Sequence, residues 1–405
     1  MGKRISLFLF SFFSLFVIFS DEFFYSFMSI MGISLESGLK SREAIVIAGI
    51  TYFIMIIDLT KERINRQNRR QLLALFAILV LYLITGFMYP HTVVYQKYTA
   101  QLLAYGALSI PAAYVGMRLA RGGYGEYILK LLPFFLVFVS LTVGYAIVTS
   151  SIQGVMLGHE EEDVFNYQNA SYYLSFCAAY CVFYVFFNNN NHKTLFESIE
   201  YIVVLLLIFL CSIGCILGGG RGAFVYLVAI SAYLAFRIIS RRKKGKLKYI
   251  LLLFGAALVM VFLVIRFQIF ESVGASRVAE SLTSDDARST LWNTAMNSFK
   301  ESPIVGHGIG SIWWEVGFYS HNILADLLVE TGVIGASIVV IVLAKMVFCM
   351  IRRSKLSNLD MFLMLVFFGC LLKNSFSGYW MSSFNLFLIF GYVFGLSKRE
   401  RKGLI

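Results

Sequence analysis

The chain has 405 residues, of which 59% are hydrophobic and 14% charged, and its mean hydropathy is +0.75. An ordinary soluble domain is about 25% charged, so soluble, disordered and disulfide-scaffold classes are excluded. The net charge of +12 would suggest nucleic acid in a soluble protein; in a membrane protein, Lys and Arg anchoring the cytoplasmic side explains it first and no nucleic acid is expected.

Taken in chain order, about twelve apolar spans of roughly 20 residues each are predicted. They lie near 5–20, 43–60, 72–89, 98–119, 128–149, 169–187, 201–217, 223–239, 249–265, 322–350, 361–378 and 382–397. Lys3 and Arg4 before the first span imitate a signal peptide, but no small-x-small cleavage site follows, so the span reads as retained. Phe23–Leu35 either extends that span or forms an interfacial helix. Placing the N-terminus inside puts Lys61–Arg70, Arg118–Lys130, Lys193, Arg237–Lys248, Lys345–Lys355 and Lys398–Lys402 on one side. That bias predicts an all-α polytopic membrane protein, one integral domain over 1–405, with both termini cytoplasmic. The basic residues left outside are Lys40, Arg42, Lys97, Arg221, Arg266, Arg277, Arg288, Lys300 and Lys373.

Several features read as structural. Cys177, Cys181, Cys211, Cys215, Cys349 and Cys370 all fall in apolar runs and are expected as buried core residues. His91, His159, His192 and His307 lack metal-ligand spacing, so no metal is expected. The run Glu160-Glu161-Glu162-Asp163 reads as a solvated loop. Asp326 and Glu330, four apart at the start of the tenth span, are expected to face the protein interior, because a charge near a bilayer centre costs roughly 2.5–3.5 kcal/mol. Their pairing with Arg221 or Arg288 is as open as a catalytic role.

Between the ninth and tenth spans runs a long outer segment, 266–321, too long for a plain connection. Ser284-Asp285-Asp286 reads as a helix start, the acidic pair capping the helix rather than holding a metal. Arg288, Trp292, Ala295 and Phe299 then recur at helical spacing, predicting an amphipathic helix suited to a membrane surface and stopped at Ser302-Pro303. Gly306, Gly308 and Gly310 would let backbone approach a ligand closely. Trp313 and Trp314 suit an interface belt, and His321 sits where the next span begins. An arginine at such a mouth also serves by snorkelling or pairing with lipid phosphate, and a lone histidine as a helix cap.

Three patches together resemble the O-antigen ligase and O-antigen polymerase family of bacterial surface-polysaccharide enzymes. One is Gly219-Gly220-Arg221-Gly222-Ala223, similar to the family's Ser-Arg-Gly turn with Gly220 in place of serine. The second is the ordered block Arg288, Trp292, Ser302-Pro303, Gly306-x-Gly308, His321-Asn322 and Glu330-x-Gly332-x-x-Gly335. The third, less specific, is Phe165-Asn166-Tyr167-Gln168-Asn169-Ala170. The resemblance implies a C-type glycosyltransferase fold acting without metal or cofactor on the outer face of the bacterial inner membrane. The donor would be an oligosaccharide on undecaprenyl diphosphate, and the acceptor a glycolipid hydroxyl. A chain-length regulator is a further partner by analogy.

The residue chemistry agrees with that expectation. Arg221 and Arg288 suit a leaving diphosphate, because the guanidinium fork matches phosphate oxygens. His321 suits removal of the acceptor proton, its unperturbed pKa being near 6.5. Arg266, Arg277 and Lys300 are weaker phosphate candidates; Asn322 and Asn169 are binding candidates, and Asp326 and Glu330 orienting ones. Polymerase is preferred over ligase because polymerases are the more varied group. A lipid-linked oligosaccharide flippase would need charges along a path through the spans, whereas here they gather at the outer mouth.

Overall fold

The computed structural model describes residues 2–33, 39–61, 64–89, 94–152, 165–187, 195–241 and 287–396. The predicted ninth span, Arg266, Arg277, Asp285-Asp286, the acidic run 160–163, His91, His159 and His192 lie outside the described residues, as does the Arg288 side chain. Those described form helices and turns, with no strand among them. In chain order the helices are α1 (Gly2–Ile18), α2 (Ser20–Met31), α3 (Leu39–Thr60), α4 (Arg66–Met88), α5 (Tyr95–Ala104), α6 (Ile110–Leu119), α7 (Gly125–Ile152), α8 (Tyr167–Phe187), α9 (Leu195–Leu217) and α10 (Arg221–Arg241). They continue with α11 (Ala287–Glu301), α12 (Ile312–Glu315), α13 (Ile323–Arg353), α14 (Asn358–Phe376) and α15 (Phe384–Gly395).

Among the described residues eight helices are long and apolar enough to cross a membrane, nine if α1 and α2 make one broken span. Those two meet at 81°, so the helical part of the 23–35 stretch, through Met31, is no straight extension of the first helix. α15, at 12 residues, is shorter than the ~20 residues that a ~30 Å hydrocarbon core requires, whereas α3 runs for 22 residues with its apolar stretch over Ala44–Thr60. α5 runs into α6 through a π turn over Tyr105–Ser109. Pro111, which has no N–H to give, follows at once, and a widened turn is one way a helix absorbs that loss.

The chain divides into two compact units, Met1–Ser37 with Gly125–Ser284, and Gly38–Tyr124 with Asp285–Ile405. In the first, α8 is buried on nearly every side, with Tyr172, Tyr173, Cys177 and Phe183 in its core. Cys181, Cys211 and Cys215 are buried there too, as expected, whereas Cys349 is only partly buried, and no disulfide joins any of the six cysteines. In the second, α6 and α15 approach backbone to backbone. A Cβ on Gly116 would lie 2.7 Å from Tyr392 N, and one on Gly391 would lie 2.6 Å from Ala113 C. Small residues permit such contact in a membrane, where van der Waals packing replaces the hydrophobic drive between helices. Asp360 ties three helices: it accepts from Arg353 Nε at 2.7 Å, Ser357 Oγ at 2.6 Å and Tyr392 OH at 2.6 Å.

Candidate functional site

In the first unit the turn before α10 is built against α8. Gly219 is left-handed, at φ +74°. Gly220 N donates to Ser171 Oγ at 3.1 Å, while Ser171 Oγ donates to Tyr167 O at 2.8 Å. This bond brings two sequence patches together, since Asn169 stands in the first turn of α8 and Arg221 opens α10. Both side chains are partly exposed. The glycine at 220 has a local reason: a Cβ there would lie 2.6 Å from Ser171 Cβ.

In the second unit the outer segment folds onto the start of α13. α11 forms over Ala287–Glu301, within a residue or two of the expected limits. Its buried face carries Ala295 and Ser298, with Met296 and Phe299 partly buried, and packs against α13. Trp292 instead points outward and is exposed. Arg288 stands in the first turn of this helix. Lys300, near its other end, is exposed and reaches Asn297 Oδ1 at 3.3 Å.

α13 is broken at Gly332, whose φ of +60° and ψ of −170° suit glycine alone. The segment 303–308 fills the break with main-chain bonds. His307 N and Gly308 N donate to Val329 O and Glu330 O, each at 2.9 Å; Val333 N and Ile334 N donate to Pro303 O and Ile304 O at 2.9 and 3.3 Å. Gly306, Gly308 and Gly310 all have positive φ. They approach the rest of the protein closely: a Cβ on Gly306 would sit 2.5 Å from Thr331 N, and one on Gly310 would sit 2.9 Å from Tyr98 Cε2. Trp313 likewise leaves the interface belt for the core. It is buried, edge-on to Phe318, Tyr319 and Tyr379. Trp314 packs on Tyr98, with ring centroids 4.4 Å apart.

His321 is the one non-glycine residue with positive φ among the described residues, at +60°. Histidine enters this region more readily than bulky residues do, yet still rarely. The residues on either side fix the turn. Ser320 N and Oγ donate to Asp326 Oδ1 at 2.8 and 2.7 Å. Asn322 caps α13, accepting from Leu324 N at 2.9 Å and Ala325 N at 3.2 Å. The His321 ring lies 4.5 Å from Tyr319 and 5.5 Å from Phe318. Lys97 Nζ lies over the Phe318 ring, 4.8 Å from its centroid.

Asp326 and Glu330 are buried, as the cost of membrane charge required. Glu330 accepts from Tyr379 OH at 2.6 Å and Trp380 Nε1 at 3.1 Å. Burial, then the Glu330 carboxyl, raise the Tyr379 hydroxyl well above the usual phenol range, so it stays a donor. The bonds named for Asp326 and Glu330 come from hydroxyl, indole and backbone groups. Tyr379 and Trp380 escaped the sequence reading: they stand about fifty positions from Glu330, and their only signal is a polar-aromatic break between two apolar runs. Lys97 is one of the outer basic residues of the charge pattern, with no motif around it to mark it. His307, which lacks metal spacing along the chain, comes together in space with Glu301 and Glu315.

Residues 206–340 match the family model described as O-Antigen ligase. The match supports assigning that segment to the O-antigen ligase and polymerase family. It contains Arg221, Arg288, His321, Asn322, Asp326 and Glu330, together with Arg266 and Arg277, and leaves Asn169, Lys97 and Tyr379 outside. The match supports an enzyme of the membrane glycosyltransferase type with a ligase or polymerase role on glycans. With the apolar helices it indicates a multi-pass membrane protein. No curated protein and no solved structure matches the chain.

Proposed function

We propose that the protein is a surface-polysaccharide polymerase of the bacterial inner membrane. It moves glycan from undecaprenyl diphosphate to an acceptor sugar hydroxyl on the outer face. The observation that carries this reading is the His321 turn, held from both sides within the segment that matches the family. His321 takes the acceptor proton, the hydroxyl oxygen bonds to the anomeric carbon, and the diphosphate leaves with the bonding electrons. Arg221 and Arg288 stabilise the charge that grows on the diphosphate, so the transfer itself needs no metal. Arg266, Arg277 and Asn169 assist in holding the donor, and Asp326 and Glu330 orient the His321 turn. Both termini are cytoplasmic in this reading, and a chain-length regulator is a natural partner.

A second reading is favoured by the description of the matching family as O-Antigen ligase: a ligase that joins finished glycan to a lipid A core. Deletion of the gene, complementation, and gel analysis of surface glycan separate the two. Loss of a polymerase leaves acceptor bearing a single repeat unit, whereas loss of a ligase leaves polymer on its carrier lipid. An unchanged glycan pattern would overturn both.

A further inference from the structure

Glu301 ends α11, His307 lies in the segment that fills the α13 break, and Glu315 ends α12. One ligand atom from each lies within 4.8 Å of the other two. His307 Nε2 is 2.9 Å from Ser298 O. A carbonyl only accepts, so Nε2 carries the hydrogen, and Nδ1 is left facing Glu315 Oε1 at 3.7 Å. In the neutral ring Nδ1 holds a lone pair, and a lone pair aimed at carboxylates is unfavourable unless something positive lies between them. Ser298 also steadies the second ligand, its Oγ donating to Glu315 Oε2 at 3.4 Å. One residue therefore orients both the imidazole and the carboxylate, as the outer partners of metal ligands do. Backbone bonds hold the frame: Gly306 N to Ser302 O at 3.0 Å, His307 N to Val329 O at 2.9 Å and Glu315 N to Ser311 O at 2.9 Å.

The geometry points to a divalent transition-metal site, Zn²⁺ being the best fit, formed by Glu301, His307 Nδ1 and Glu315. Donors about 2.0–2.1 Å from a tetrahedral ion stand roughly 3.3 Å apart. The His307–Glu315 separation is already close to that, and the exposed Glu301 side chain closes the set by a small swing. One imidazole and two carboxylates suit Zn²⁺, with water in the fourth position. The ion acts as a clamp, joining the end of the helix that carries Arg288 to the segment that fills the α13 break. It takes no part in glycan transfer, so the site stands or falls apart from the proposed function.

The test uses the untagged full-length protein in detergent, stripped with EDTA and dialysed. Added Co²⁺ should give the visible absorption of a four-coordinate ion at one equivalent per chain, and Zn²⁺ should displace it. Zn²⁺ should also raise the melting temperature. Glu301→Gln and His307→Gln should each weaken Zn²⁺ binding at least tenfold. Glu301 is exposed, so Glu301→Gln should melt like the wild type in EDTA, which separates lost binding from lost folding. Sub-stoichiometric uptake would overturn the site. So would unchanged affinity in both variants, which would place the ion on other groups, or a melting temperature indifferent to Zn²⁺, which would leave a proton on His307 in the place assigned to the ion.

Discussion

Position 220 has room for little more than a hydrogen atom, because Ser171 already fills the space. Gly220→Ser should therefore destabilise the protein by about 1–3 kcal/mol, the usual cost of overpacking. Ser171→Gly in the same chain should recover most of that loss in a thermal melt; no recovery would show that another neighbour sets the limit. His321 carries a different kind of expectation. His321→Ala should lower transfer roughly 10²–10⁴-fold, the usual worth of a positioned base, with protein levels in membranes unchanged; full activity would remove the proposed role. Tyr379→Phe takes one donor from a buried carboxylate and should cost about 1–3 kcal/mol of stability, read as an earlier melting transition than wild type.

At the scale of elements, apolar runs and charged breaks made the helices readable. Every predicted span except 249–265, which lies outside the described residues, coincides with a helix. The helix 287–301 was legible too, from its acidic start and the Ser302-Pro303 stop. Which way it faces was not: the stripe through Trp292 fits 3.6-residue spacing, but its buried side is decided by α13. The break in α13 was similarly hidden. Gly332 within an apolar run reads as one more helical residue, and only the bonds from 303–308 show that the helix opens there. Gly332→Ala should be more damaging than an ordinary helical Gly→Ala, which is normally favourable by about 1 kcal/mol. The added methyl would meet the Ile304 carbonyl in a backbone conformation reserved for glycine. A melt that is unchanged or higher would mean that the helix can close without the segment.

For the whole molecule, the proposed site residues divide between the two compact units: Asn169 and Arg221 in one, Arg288, His321, Asp326 and Glu330 in the other. The charge bias remains the ground for orientation. It predicts that reporter fusions after residue 405 are active in the cytoplasm and that a label-accessible cysteine placed in 160–163 reacts from outside; the opposite pattern would invert every proposed role of the outer basic residues. The opened α13 carries a kinetic consequence as well. Its two halves lack the intrahelical bonds that would let either persist alone at the break, and the missing partners are supplied by a segment made earlier in translation. The amides of His307, Gly308, Val333 and Ile334 should therefore exchange with deuterium at one common rate, as a single cooperative unit, although 307 and 333 are far apart along the chain.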